Sequence, residues 1–223
     1  MKREIIITSD GSTTIHLPDW NEQYHSKHGA IQEALHVFIE AGLHQLSQRK
    51  VSILEIGFGT GLNAFITFLE YVKQDLVIDY VGVEAYPVGR DEIEALNYVD
   101  ELKAKEYDSY FQKMHDVEWE KPIEIHENFS ITKRQQFFQD ITDENQYDLI
   151  YFDAFGARNQ PELWTEEIFQ KMFVAMKNGG VLTTYAAKGS VRRAMLTVGF
   201  EVERLPGPPG KREMLRAKKI VTS

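Results

Sequence analysis

The chain has 223 residues, 43% of them hydrophobic, a formal net charge of −9 and no cysteine. That length closes one substantial core and is short for two independent domains; the missing cysteine excludes disulfides, thiolate metal sites and a cysteine nucleophile together. The acidic balance argues against a uniformly basic nucleic-acid binder, no stretch approaches the ~18 consecutive apolar residues of a membrane span, and a cytoplasmic protein without membrane contact is expected.

Residues 3–17 read as two short strands around Ser9-Asp10-Gly11-Ser12, because Asp-Gly readily takes positive φ at a hairpin turn. A small N-terminal unit is expected over residues 1–28, a β-hairpin followed by a covering loop, with the main domain over 29–223. Ile31, Ala34, Leu35 and Phe38 recur at helical spacing and predict a helix from about Gly29 to Ser47. Val51 to Ile56 is a short apolar run that fits a strand buried on both faces. Glycines follow at once, and Leu62, Phe65, Ile66 and Leu69 then mark a helix. Tyr80 to Val83 is a second buried strand and ends in Glu84. The charged, aromatic segment 89–119 reads as helical pieces, and residues 123–133 carry one or two strands. Asp148 to Phe152 is another apolar strand, ending in Asp153. A helix is predicted from Glu166 to Met176, with Gly179-Gly180 as its stop. Val181 to Tyr185 is a strand, Val191, Ala194, Met195 and Val198 mark the last helix, and strands near Glu201 to Leu205 and Arg212 to Ala217 close the chain. Strands alternating with helices predict an α/β, Rossmann-like fold: a mostly parallel seven-stranded sheet with an antiparallel edge hairpin.

Glu55-Ile56-Gly57-Phe58-Gly59-Thr60-Gly61 stands between a buried strand and a helix, where glycine lets the backbone turn sharply and approach a ligand without a Cβ clash. The glycines run G-x-G-x-G rather than the G-x-G-x-x-G of dinucleotide binders, with an acidic residue two positions before the first. This resembles the nucleotide-side motif of class I methyltransferases, whose cofactor is S-adenosylmethionine. Glu84, ending the next strand, is positioned to accept both ribose hydroxyls. The competing readings are a turn that binds nothing and an NAD site, which would also want a carboxylate at Glu84.

Further blocks stand in order along the chain: Tyr24-His25-Ser26-Lys27-His28-Gly29-Ala30, Leu54 to Asn63, Tyr80 to Glu84, Asp153-Ala154-Phe155, Pro161-Glu162-Leu163-Trp164, Lys188 to Arg193, Gly199-Phe200 and Lys211 to Leu215. From about Tyr24 to Ala217 they resemble the methyltransferase domain of the bacterial tRNA-modifying MnmC family, and its stand-alone MnmD form more closely still. The resemblance implies methyl transfer from S-adenosylmethionine to 5-aminomethyl-(2-thio)uridine at the tRNA wobble position. It also implies contact with the anticodon stem-loop, no FAD, and a separate enzyme that supplies the aminomethyl group. Cofactor contacts are expected from Tyr24, Glu55, Gly57, Phe58, Gly59, Thr60, Gly61, Asn63, Glu84, Asp153, Ala154 and Phe155. The chain departs from the family pattern at Ala157 and Asn159, where a Pro and a Lys are usual and Arg158 stands beside them. It departs again at Gln135 and Gln136, where an acidic adenine contact is usual.

Freeing the lone pair of an alkyl amine with pKa near ~10.4 at pH 7 costs on the order of 4 to 5 kcal/mol, so a carboxylate at the crevice has work to do as proton acceptor. Asp153 is the candidate catalytic residue. Phe155 and Trp164 are candidates to stack on the flipped base, Trp164 being equally suited to the core. Residues from Lys188 onward include nine Lys or Arg against three Glu, and Lys188, Arg192, Arg193, Lys211 and Arg212 are expected phosphate contacts. His25 and His28 lack a further ligand cluster, so no metal is expected. The alternatives are an S-adenosylmethionine-dependent N-methyltransferase of a small amine or a protein, an NAD-dependent oxidoreductase, and a non-catalytic tRNA-binding module.

Overall fold

The structure is a computed structural model and describes residues 2–220. Met1 and residues 221–223, the outer ends of the two expected units, lie outside the described residues.

The N-terminal hairpin forms as expected and gains a strand. β1 (Glu4–Ile7) and β2 (Thr13–Leu17) pair antiparallel across the Asp10-Gly11 turn, and β3 (Glu22–Gln23) adds to the far edge of β2. Asp10 fixes the turn by accepting from the Thr8 and Ser12 hydroxyls.

The main sheet has eight strands rather than seven. Its centre is parallel and runs, in spatial order, β9 (Met176–Thr184), β8 (Tyr147–Phe152), β4 (Lys50–Ile56), β5 (Val77–Val83) and β7 (Phe129–Arg134). One side ends in the expected antiparallel hairpin of β10 (Glu201–Pro206) and β11 (Glu213–Lys218). The other side ends in the additional strand β6 (Ile123–His126), because Asn128 takes a left-handed φ of 64° and folds the chain back on itself. The chain leaves β4 first toward β5 and β7, then returns to β8 on the opposite side. The crevice beyond the strand ends between β4 and β8 is therefore the topological switch point, where such sheets bind ligands.

Helices cover both faces. On one, α2 (Leu62–Lys73) packs with α1 (Ala30–Ala34) and with the pieces of the 89–119 segment, which are α3 (Arg90–Glu94), α4 (Tyr98–Glu101) and α5 (Asp108–Asp116). Tyr98, Phe111 and Met114 are the buried anchors of that segment, so its aromatic content serves the core. The other face carries α6 (Glu166–Ala175) and α7 (Gly189–Thr197) over Phe152, Phe169 and Met195.

Two local expectations are corrected. The helix expected from Gly29 to Ser47 is α1 continued as a π-helical turn over Leu35–Glu40 and, after Gly42, a single 3-10 turn over Leu43–Gln45. Val37, Phe38 and Ile39 are all buried, an apolar arc wider than one α-helical stripe, and the wider π turn brings all three to the core. Gly179-Gly180 does not stop α6. That helix starts at Thr165, whose hydroxyl accepts the Ile168 N–H, and ends at Ala175; Met176 is already extended, and the glycines lie within β9 at an irregularity in its pairing with β8.

Candidate active site

Three strand ends converge on one cavity of about 750 Å³. After β4 the chain turns on Gly57, Gly59 and Gly61, with φ of 91°, 49° and 72°. L side chains are disfavoured in that region. The Gly57 and Phe58 N–H groups donate to the Val83 carbonyl, each at 3.0 Å, which ties the turn to the end of β5. A Cβ at Gly57 would stand 2.7 Å from the Asp153 carbonyl oxygen, and one at Gly59 would stand 3.1 Å from the Tyr24 ring. Bare backbone is thus what lets the turn, the end of β8 and the covering loop close on one space, and a side chain would fill the cradle a ligand needs.

Glu84, at the end of β5, accepts the Gly59 N–H at 3.0 Å and the Tyr86 N–H at 2.9 Å and lines the cavity. A carboxylate has about four acceptor directions, so it retains capacity for hydroxyl donors. Beneath the turn, fully buried Glu55 accepts from Asn63 at 2.9 Å and from the Tyr80 hydroxyl at 2.8 Å. Burial pushes its carboxyl well above the usual range, against the opposing pull of the Tyr80 and Asn63 hydrogen bonds. The same Asn63 amide donates to Asp153 at 2.9 Å. Asp153 is half-buried at the cavity wall, and its carboxyl is pushed up to about 7. Burial is the main cause and the Glu33 carboxylate adds to it, while the Asn63 hydrogen bond and the Lys211 ammonium pull the other way. A carboxyl that titrates near neutrality beside a ligand cavity is suited to exchanging a proton there.

Of the expected cofactor residues, Tyr24, Gly57, Gly59, Glu84, Asp153, Ala154 and Phe155 line the cavity. Tyr24 meets Phe155 edge-on, with ring centroids 5.0 Å apart. The side chains of four others point elsewhere. Glu55 and Asn63 lie beneath, Thr60 is buried with its hydroxyl accepting from Tyr98, and Phe58 runs under β5, where Gly82 leaves room for its ring. Gly61 begins α2 in a left-handed conformation against the His115 ring.

Trp164 is not a stacking surface. It is 5% exposed, packs on Phe152, Phe169 and Tyr185, and donates its indole N–H to the Phe155 carbonyl at 2.7 Å. Its role in the structure is to hold Phe155 in place. Lys211 also departs from expectation, because its ammonium is turned onto Glu33 at 2.5 Å and over the Tyr185 ring at 3.8 Å. Lys188, Arg193 and Arg212 are exposed and Arg192 is half-buried.

Gln135 gives its N–H to Glu120 and stays outside the cavity; the wall after β7 is made by Phe137, Phe138 and Gln139 instead. Sequence reading missed Phe137, Tyr86, Trp20 and Arg3, all lining residues. Arg3 reaches the Tyr86 carbonyl at 2.9 Å and Glu92 at 3.0 Å, joining the N-terminal sheet to the main domain. No periodicity marks these positions; only their place after predicted strand ends, or in a covering unit, signals them. His25 borders the cavity, and burial pushes its imidazole down to about 4. His28 packs on Gly210. Among the described residues no group of three or more His, Asp or Glu gathers to hold a metal ion.

A doubly wound sheet with a glycine turn after its first parallel strand, a carboxylate ending the second and another ending the fourth defines the class I methyltransferase architecture. Residues 97–220 match the S-adenosyl-L-methionine-dependent methyltransferase family, and the chain belongs to that family. It is 30% identical over 216 residues to the tRNA 5-methylaminomethyl-2-thiouridine biosynthesis bifunctional protein MnmC of Leptospira borgpetersenii, covering 89% of this chain and 32% of that protein. The protein of the same name from Pseudomonas entomophila is 29% identical, with 90% and 33% covered. The chain thus spans about a third of the length of these curated relatives. Among solved structures it superposes on MnmC2 of Aquifex aeolicus with a TM-score of 0.77 at 24% identity, covering 99% of this chain and 73% of that one. The spermidine synthase of Thermotoga maritima shares the fold more loosely, with a TM-score of 0.51 at 17% identity, covering 100% and 73%.

Proposed function

We propose that the protein methylates the exocyclic amine of 5-aminomethyl-(2-thio)uridine at the tRNA wobble position, giving 5-methylaminomethyl-(2-thio)uridine. The observation that carries this reading is the Asp153 carboxyl, titrating at about 7 in the wall of the cavity that the glycine turn opens. The likeness to proteins named for 5-methylaminomethyl-2-thiouridine biosynthesis supports the choice of substrate. The bare cradle at Gly57 and Gly59 and the remaining acceptor capacity of Glu84 fit S-adenosylmethionine. When bound, that cofactor supplies a methyl group activated on a sulfonium.

The residues around it divide the remaining tasks. Asp153 in its ionised form accepts the proton that the acceptor ammonium must lose, and Asn63 holds the carboxylate toward the cavity. Phe155, fixed by Trp164, presents an aromatic face to the base. Tyr24 and Trp20 close over the cavity and limit water access, so residues 1–28 act as a cap on the transferase domain 29–223. Lys188, Arg192, Arg193 and Arg212 hold phosphates of the anticodon stem-loop. The transfer changes no oxidation state at the amine, so the step calls for no flavin. A separate reaction that installs a primary aminomethyl group on uridine must come first. A tRNA substrate puts the protein in the cytoplasm.

The test is mass spectrometry of nucleosides after incubation with S-adenosylmethionine and tRNA carrying the aminomethyl group. A wobble nucleoside heavier by one methylene is expected, and none in tRNA lacking that group. Methylation of a small amine or protein, with the tRNA unchanged, would favour the second reading.

A further inference from the structure

Buried Glu33 and half-buried Lys211 form an ion pair that the steps above leave without a task. Glu33 is 5% exposed although charged, and it sits in α1, whose helical pattern calls for an apolar residue on that face. One of its oxygens accepts the Ser26 N–H at 3.1 Å, and the other meets the Lys211 ammonium at 2.5 Å. Through Ser26 it ties the covering loop. Through Lys211 it ties the turn between β10 and β11, which docks on the same segment at two further points: the His28 ring lies against Gly210, and His36 meets the Pro206 carbonyl at 2.9 Å. Lys211 also lies over the Tyr185 ring, and the Tyr185 hydroxyl donates to the Ala154 carbonyl at 2.8 Å, next to Asp153. A buried carboxylate such as that of Glu33 is costly to leave without its cation.

We propose that Glu33 and Lys211 are positioning residues for the transfer, a charge pair that locks the covering loop to the C-terminal hairpin turn and sets the electrostatic surroundings in which Asp153 meets the acceptor amine. The inference rests on the reading of Asp153 as proton acceptor. Glu55 from β4, Tyr80 from β5, Tyr98 from α4, Tyr185 after β9, Glu33 from α1 and Lys211 from the hairpin turn stand around Asp153, and Glu84 after β5, Arg3, Tyr24 and His25 of the covering unit and Glu162 line the same cavity. Of the cations, Lys211 is the one whose charge acts on Asp153 most directly. The two members of the pair act on Asp153 in opposite senses, Glu33 raising and Lys211 lowering its affinity for a proton. Separating them therefore changes the sign of the effect, which a merely structural contact does not do.

The experiment compares the wild type with Glu33→Gln, Lys211→Met, Lys211→Arg and the double variant Glu33→Gln/Lys211→Met, each as full chain with S-adenosylmethionine bound. Two quantities are read: the titration of Asp153 by carbon-13 NMR of labelled aspartate, assigned with Asp153→Asn, and the rising acid limb of kcat/KM against pH on aminomethylated tRNA. Glu33→Gln is expected to move both midpoints down and Lys211→Met to move both up, each on the order of half a pH unit. Lys211→Arg should stay near the wild type, and the double variant, which leaves no charge unpaired, should return toward it. Shifts in the same direction, or an unmoved Asp153 titration in both single variants, would overturn the inference. If the wild type leaves the tRNA unmodified, the proposed function fails, while the NMR titration still decides the pair.

Discussion

At Asp153 two opposing demands meet, because the carboxyl must be dry enough to hold a proton near neutral pH and still open enough to reach a ligand. In the fold it titrates at about 7, whereas an unfolded aspartate titrates near ~3.9. Between those values the folded chain keeps a proton that the unfolded chain has released. The resulting stability is fully present below about pH 4 and is lost as pH rises through about 7. Asp153→Asn removes this dependence, so the melting temperature of the variant relative to wild type should rise between pH 5 and pH 8 in scanning calorimetry. An equal difference at both pH values would show that the carboxyl is not desolvated. The same variant should bind S-adenosylmethionine nearly as well as the wild type and turn over at least a hundredfold more slowly. The position of Asp153 after a buried strand was legible in the sequence. The inward orientation of Trp164 and Lys211 was not, since both residue types suit a surface or an interior and only the partners, Phe155 and Glu33, decide between them.

Elements carry the site through their ends. Gly82 in β5 is as necessary to the turn as the turn's own glycines, because a Cβ there would come within 2.4 Å of the Phe58 ring that anchors the loop from below. Gly82→Ala should displace Phe58 and destabilise the protein by roughly 1 to 3 kcal/mol, as overpacking does. The check is chemical denaturation, and a variant as stable as the wild type would show that Phe58 repacks freely. Strand and helix periodicity predicted the parallel core, α2, α6, α7 and the closing hairpin from short apolar runs and one-sided stripes. It missed β3, left open whether residues 123–133 hold one strand or the two that β6 and β7 form, and merged α1 with the π turn because three consecutive buried residues mimic a longer helix. Gln135 and Gln136 stand where the resemblance leads one to expect an acidic adenine contact, and the fold makes the wall after β7 from Phe137, Phe138 and Gln139 beyond them, which no sequence pattern marked.

Across the whole molecule, charge is segregated. The chain is acidic overall at −9, yet its last 36 residues carry nine basic against three acidic side chains. Reversing Arg192 and Arg193 to Glu should weaken tRNA binding and flatten its dependence on salt while leaving cofactor affinity unchanged. Filter binding across a salt series reads both, and unchanged affinity would move the RNA face elsewhere. The cavity joins these scales, with the glycine turn, the strand-end carboxylates and the N-terminal sheet each supplying one wall. The most direct measurement is a calorimetric titration of S-adenosylmethionine into the wild type and into Gly57→Ala, whose added methyl would stand 2.7 Å from the Asp153 carbonyl. One site in the wild type and at least a tenfold weaker one in the variant, about 1.4 kcal/mol, is predicted. Equal affinities would mean that the cofactor lies somewhere other than between Gly57, Glu84 and Asp153.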